Sequence, residues 1–343
     1  MQEYSRYSRQ LVLKEIGREG QRKLGSSCVA VIGAGALGSV SANLLVRAGV
    51  GTVRVIDRDF VEMDNLQRQV LYDEKDVAEN LPKAIAAQRK LQKINSEIKI
   101  EAEVADINSG TVRRLLEKVD LIVDGTDNFE TRFLINDYSL QSGKPWIYGG
   151  AVRTEGMSYV VLPGEGPCLR CLFGAAPDPG TAQTCDQVGI LAPMAHLISS
   201  FQAIEAIKIL AGHREAVDRE LWKVDLWSRQ FKAISVEKFK NDPCSGCSSK
   251  EFPYLDKKNE MRAVALCGRN AVQIVNPQEL PDIDLKMLAS RLAKQTEVQF
   301  NDYLLKCKAD PYEITIFPNG RAIIKGTEDT GQAKSLYAKY VGV

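Results

Sequence analysis

Histidine is almost missing from this sequence, with two in 343 residues, His196 and His213. That excludes His-based metal clusters and any mechanism needing several imidazoles. Net charge is equally scarce, since 45 lysines and arginines face 44 aspartates and glutamates. No bulk field then draws the chain to nucleic acid or to a membrane surface, and recognition has to be local. Residues 1–22 are charged and lack the apolar stretch of a secretory leader, and no later segment approaches the roughly 18 apolar residues of a membrane span. A cytoplasmic protein is expected. The absence of a G-x-x-x-x-G-K-[ST] motif removes the P-loop ATPases. Cysteine, by contrast, is plentiful. Eight in a chain without an export signal point to metal, catalysis or packing before disulfides.

The length suits one large α/β domain plus a smaller module, because domains usually run to roughly 100–200 residues. Arg6 to Leu24 reads as a polar helix, and Cys28 to Ile32 as an apolar, β-branched strand of the buried parallel kind. The turn Gly33-Ala34-Gly35-Ala36-Leu37-Gly38 follows, then a helix over Leu37 to Ala48 and a strand over Thr52 to Asp57, completing a βαβ unit. Pro82 stands where a helix starts, with Lys83 to Ile94 continuing it, and Ile98 to Val104 is a third strand. Leu121 to Val123 delivers Asp124 and Asp127 to a strand's C-terminal end, where ligand crevices of open α/β sheets lie. Phe129 to Leu140 and His196 to Leu210 read as helices, and Trp146 to Val152, Leu221 to Leu226 and Phe231 to Val236 as strands. Between them, Pro163 to Ala192 is too long for an ordinary connection, and such loops are usually functional or pinned by metal.

These elements give a Rossmann-like α/β unit over residues 1–250, a linker at 251–260 and a small α+β module over 261–343. In the module, Arg262 to Val275 reads as two strands, Leu285 to Lys294 as a helix, and Glu313 to Lys325 as a hairpin about Pro318-Asn319-Gly320.

Gly33, Gly35 and Gly38 lie between strand and helix, where missing side chains let backbone close on a phosphate or ribose. Asp57, ending the second strand, is placed to accept a ribose hydroxyl. Such a start opens nicotinamide dehydrogenases as readily as anything else. What separates the readings is the polar set Asp59, Asn65, Gln67, Arg68, Lys83 and Asp127. Each alone reads as a solvated surface residue. Together they offer fixed positive charge and a carboxylate for a divalent cation, which a triphosphate needs and hydride transfer does not.

Ser5-Arg6-Tyr7-Ser8-Arg9-Gln10, the glycine turn, Asp57-x-Asp59, Asn65-Leu66-Gln67-Arg68-Gln69, Leu81-Pro82-Lys83 and Thr126-Asp127-Asn128 together resemble the ordered motifs of the ThiF/MoeB adenylyltransferases. These are bacterial relatives of ubiquitin-activating enzymes, and the extension points to ThiF-like members that carry one. The resemblance implies that Arg68 and Lys83 contact ATP phosphates, Asp127 sits by Mg2+, Asp57 holds the ribose, and Arg9 reaches the opposing subunit of a homodimer. It implies adenylation of the C-terminal Gly-Gly carboxylate of a ubiquitin-like sulfur carrier, in thiamin-thiazole or molybdopterin synthesis, with sulfur then delivered by a donor such as a cysteine desulfurase. Thiazole synthesis is the preferred reading, and the neutral charge disfavours a tRNA-borne carboxylate.

Cys168-x-x-Cys171 and Cys244-x-x-Cys247 are two knuckles whose thiolates would complete a tetrahedral Zn2+ site, with Pro243 and Gly246 supplying turn chemistry. Cys185, after Thr184 in the long loop, resembles the family's reactive cysteine, which relatives use in a covalent link to the carrier or not at all. Cys28, Cys267 and Cys307 read as small buried hydrophobes. Cys267-Gly268-Arg269-Asn270 evokes a sulfurtransferase loop, but its module lacks the wide α/β framework; a docking role for the carrier is expected instead. Two other classes stay open, a nicotinamide-linked oxidoreductase and a non-catalytic partner subunit.

Overall fold

The computed structural model describes residues 5–175, 188–240, 243–256, 262–266, 270–275 and 283–341. Cys185 and Cys267 lie outside the described residues. The chain divides into two units, Met1–Lys257 and Lys258–Val343.

The first unit is a mixed α/β fold. The single N-terminal helix expected from Arg6 to Leu24 is in fact two, α1 (Ser8–Leu11) and α2 (Gly17–Ser26). The break lies between Leu11 and Gly17, and α2 starts at Gly17, whose φ of 54° is left-handed backbone that glycine adopts without steric cost. Then come β1 (Cys28–Ile32), α3 (Ala36–Ala48), β2 (Thr52–Ile56), α4 (Glu74–Ala78), α5 (Lys83–Ile94), β3 (Lys99–Glu103), α6 (Val112–Leu116), β4 (Leu121–Asp124), α7 (Phe129–Ser142), β5 (Trp146–Val152) and β6 (Glu155–Val161). They are followed by α8 (Leu169–Phe173), α9 (Ala192–Ala211), β7 (Glu220–Asp225) and β8 (Gln230–Ser235).

One eight-stranded sheet runs β3-β2-β1-β4-β5-β6-β7-β8. Its first five strands are parallel, and the rest join antiparallel. Val29, Ala30, Val31 and Ile32 are all buried, as a strand covered on both faces demands. Because β1 is flanked by β2 and β4, the chain reverses direction across the sheet there, and a crevice opens beyond the strands' C-terminal ends. β6 was not anticipated; Gly156 and Ser158 interrupt its apolar pattern, and pairing with β5 decides it.

Helix α9 corrects the expectation that no segment approaches a membrane span. Its length of 20 residues and mean hydropathy of 1.2 would suffice. It is a core helix instead, with Met194, Ala195, Ile198, Ala203 and Ala206 buried and Ser199 Oγ donating to the Leu37 carbonyl at 2.8 Å.

The second unit carries an antiparallel six-stranded sheet built from β9 (Arg262–Leu266), β10 (Ala271–Val275), β11 (Val298–Phe300), β12 (Leu305–Ala309), β13 (Tyr312–Ile316) and β14 (Ala322–Lys325). Helices α10 (Leu285–Leu292) and α11 (Thr330–Tyr340) cover one face of it, where Val272, Ile274, Ile314, Ile316 and Ile324 meet Leu288, Leu292, Ala333 and Tyr337. The hairpin about Gly320 (φ 78°) pairs Ile316 with Ala322. Strands β11 and β12 and helix α11 were not read from the sequence.

Candidate functional site

Two glycines of the turn after β1 are fixed by packing. A Cβ on Gly38 would lie 1.7 Å from the Gly33 carbonyl oxygen, and one on Gly33, at φ 83°, would lie 2.7 Å from that of Gly125. The ends of β1 and β4 and the start of α3 therefore interlock through bare backbone. Gly35 is different. A Cβ there would meet only Gln69 Nε2, at 3.8 Å, so the fold does not require this glycine. It caps α3 and, being glycine, offers no side chain to the helix's first amides. An N-terminus of this kind, left open beside a glycine, suits a phosphate or ribose oxygen.

Asp57, at the end of β2, accepts hydrogen bonds from the amides of Ala34 (2.6 Å) and Asp59 (2.7 Å). Its side chain is partly exposed yet closely enclosed by protein. Burial pushes its carboxyl above the usual range, with Lys83 pulling it down and Asp59 pushing it up. Tyr72 donates its hydroxyl to the Ala34 carbonyl at 2.7 Å, so both sides of Ala34 are held.

Lys83 begins α5 and is buried, 5% exposed. Its amide donates to the Asp59 carbonyl at 2.8 Å, and Phe60 bridges to Pro82. Two motifs distant in sequence are thereby joined, and Lys83 Nζ stands 3.9 Å from Asp59 Oδ2. Asn65 and Arg68 share one helical turn, with Arg68 Nη1 donating to the Asp64 carbonyl at 2.8 Å. Asn65 is buried, its Nδ2 donating to Asp64 Oδ1 at 2.8 Å while its Oδ1 meets no hydrogen-bond donor among the described residues. Arg9 is exposed on α1.

Asp127 is exposed in the loop after β4. Two residues shape that loop, Asp124, which the sequence placed at the strand's end, and Arg132, which sequence reading passed over. Fully buried Asp124 accepts from Thr126 Oγ1 (2.6 Å) and from Arg132 Nε (3.0 Å). Arg132 also donates to the carbonyls of Thr126 (2.6 Å) and Gly149 (3.0 Å), and its guanidinium lies 5.2 Å from the ring centroids of both Phe129 and Tyr148. Arg58 and Asp106 were also missed; they pair at 2.8 Å. The one signal for Arg132 is its position a turn beyond Asn128, whose side chain caps α7 by accepting from Thr131 N at 2.8 Å.

The four knuckle cysteines converge. Their Sγ atoms lie within 4.8 Å of one another, at 3.9 Å for Cys168–Cys171, 3.8 Å for Cys168–Cys244 and 3.6 Å for Cys171–Cys247. Thiolates on a tetrahedron with Zn–S of about 2.3 Å stand about 3.8 Å apart, so the donor set fits zinc. Burial pushes the Cys247 thiol up to about 11. Burial raises the Cys244 thiol as well, but the Cys247 and Gly246 amides together with hydrogen bonds to the Cys171 and Cys247 thiols bring it down to about 7. Gly246 packs closely here, since a Cβ would stand 3.3 Å from Arg170 Cδ and 3.2 Å from Leu140 Cδ1, which would have to shift by a few tenths of an ångström. Arg170, between the first two cysteines, donates from Nη2 to both carboxylate oxygens of buried Asp137, at 2.7 and 2.8 Å. The Tyr254 amide donates to the same carboxylate at 3.0 Å, so part of the stretch expected as a linker packs on the first unit.

Comparison with known proteins follows the same lines. The sequence matches the ThiF family over residues 7–248. It is 43% identical over 338 residues to the sulfur carrier protein ThiS adenylyltransferase of Bacillus subtilis (strain 168), covering 98% of this chain and 99% of that one. It is 39% identical over 272 residues to a sulfur carrier protein adenylyltransferase of Thermus thermophilus, covering 78% and 97%. Among solved structures, E. coli MccB with MccA-N7isoASN superposes with a TM-score of 0.62 at 25% identity, covering 71% of this chain and 75% of that one.

Proposed function

The chain belongs to the ThiF family, and from that premise we propose that it is an ATP-dependent adenylyltransferase acting on the C-terminal glycine carboxylate of a ThiS-like, ubiquitin-like sulfur carrier. The observation that carries this reading is the identity to a ThiS adenylyltransferase over almost the whole length, including the second unit. A carboxylate oxygen of the carrier bonds to the α-phosphorus of ATP, and the bond from that phosphorus to pyrophosphate breaks. The substrate supplies the nucleophile, so no histidine base is needed, in keeping with a chain that has two.

In this reading Gly35 and the open start of α3 admit the nucleotide, Asp57 turns toward the ribose, and Lys83, Arg68 and Asn65 face the phosphates. Mg2+, when bound, offsets phosphate charge, and exposed Asp127, with Asp59 nearby in the site, is the carboxylate that would hold it. Asp124 and Arg132 keep the Asp127 loop in place. The protein works as a cytoplasmic homodimer in which Arg9 completes the partner's site, and a cysteine desulfurase supplies sulfur after adenylation. Adenylation itself needs no cysteine, so Cys185 enters only at that later transfer. The second unit serves to position the carrier.

The test is ATP–pyrophosphate exchange by the full chain with Mg2+. Exchange should appear with a ThiS-like carrier ending in Gly-Gly and be weak with a MoaD-like one. Equal exchange with both would remove the thiamin assignment, and none with either would remove adenylation of a carrier.

Zinc at the four cysteines holds α8 against the segment after β8. Fresh protein should contain about one zinc per chain. Prolonged chelation should lower the unfolding midpoint and free four thiols to a colorimetric reagent. Protein that contains no zinc, yet melts at the same temperature with and without chelator, would exclude a structural metal.

A further inference from the structure

The loop after β2 brings to Asp59 and Lys83 two further charges, Arg58 and Asp106, that nucleotide binding, as described above, leaves unused. Arg58 lies between Asp57 and Asp59 in sequence. Its Nη1 is 2.8 Å from Asp106 Oδ1, and its Nε is 3.8 Å from Asp59 Oδ1. The other oxygen of Asp59, Oδ2, is 3.9 Å from Lys83 Nζ. Asp106, Arg58, Asp59 and Lys83 thus form a row of alternating charge. Their side chains are 19%, 31%, 24% and 6% exposed, so salt and water screen them only in part. Burial works against the Arg58 charge, yet Asp106, Asp59 and Asp127 keep the guanidinium firmly protonated.

The distances decide what this row does. A direct charge-assisted N–H···O bond spans about 2.7–2.9 Å. Arg58 and Asp106 meet that length, while both contacts of the Asp59 carboxylate are about an ångström longer. The Asp59 backbone is fixed, its amide donating to Asp57 Oδ1 at 2.7 Å and its carbonyl accepting from Lys83 N at 2.8 Å. Only the carboxylate can move, and it stands between two cations. Without Arg58, the pull of Lys83 on it is no longer opposed from that side. A close Asp59–Lys83 pair would then compete with any phosphate for the buried ammonium.

We propose that Arg58 is a positioning residue that, by drawing on Asp59, keeps the Lys83 ammonium from a close ion pair and so available to the nucleotide phosphates. The proposal rests on the adenylyltransferase reading in taking Lys83 as a phosphate ligand. Arg58 need not touch the nucleotide, since it acts through Asp59.

The experiment is a double-mutant cycle on the full chain, reading ATP affinity by calorimetry without carrier, together with the unfolding midpoint. Arg58→Gln should weaken ATP binding about tenfold, the size of one charge-assisted hydrogen bond. Arg58→Lys should restore most of it. In an Asp59→Asn background, adding Arg58→Gln should change the affinity by less than about twofold, because no carboxylate remains to close on Lys83. A purely structural role would lower the midpoint and leave the two losses additive. Unchanged ATP affinity in Arg58→Gln, or the same tenfold loss in the Asp59→Asn background, overturns the proposal while wild-type binding and exchange leave the adenylyltransferase reading intact. Wild-type protein that does not bind ATP overturns both.

Discussion

Lys83→Met should slow carrier-dependent ATP–pyrophosphate exchange about a hundredfold, near 3 kcal/mol of lost charge stabilisation. Lys83 is one of the few cations the fold buries, at 5% exposure. Its position at the first residue of α5 is fixed by backbone pairing, with Val61 N on the Leu81 carbonyl at 2.9 Å and Lys83 N on the Asp59 carbonyl at 2.8 Å. A charge held this way costs little to reorganise when negative charge spreads over phosphate oxygens. Methionine keeps the apolar stem and removes only the ammonium, so the variant should fold. Single-turnover adenylate formation separates the chemical step from release. A Lys83→Met rate within threefold of wild type would take this residue out of phosphate handling.

Gly38→Ala and Gly35→Ala should fail in opposite ways, although one motif contains both. At Gly38 the added methyl would sit 1.7 Å from the Gly33 carbonyl oxygen, and neither the β1 end nor the α3 start can yield without disturbing Gly125 in turn. The cost should exceed about 3 kcal/mol, or a midpoint lower by roughly 6–12 °C for a domain of this size. At Gly35 the nearest foreign atom is 3.8 Å away, so the midpoint should stay within about 2 °C while ATP affinity falls, because the methyl occupies the approach to α3. Thermal melts with and without ATP distinguish the two. A Gly35→Ala protein that melts normally and binds ATP normally would show that the nucleotide does not approach there.

Much of the first unit could be read from the chain because its signals are local. Val29 to Ile32 form a continuous apolar strand, glycines follow at once, and Pro82 marks the start of α5 at Lys83. The knuckle cysteines were legible because two C-x-x-C pairs have few other uses in such a chain. Elements whose identity depends on partners were lost. β6 is a strand because β5 and β7 pair with it, and Arg6 to Leu24 forms two helices because the chain leaves helical geometry after Leu11 and re-enters it at Gly17, which takes φ 54°. Helix α9 has the composition of a membrane span, and only its burial in the fold tells otherwise.

Local composition and spacing set the chemistry on offer: a Rossmann-like start, a set of charges that would suit a triphosphate, two C-x-x-C pairs, and only two imidazoles. Tertiary structure alone decided which of those charges meet. Lys83 and Asp59 come together across a β-bridge, Arg58 turns to Asp106, and Arg132 is buried on Asp124 where any charged residue of a helix would be read as solvated. The physical reason is that an ionisable side chain declares its type in sequence but not its surroundings. Burial and the nearest opposite charge, which set its role, arise from segments far apart in the chain.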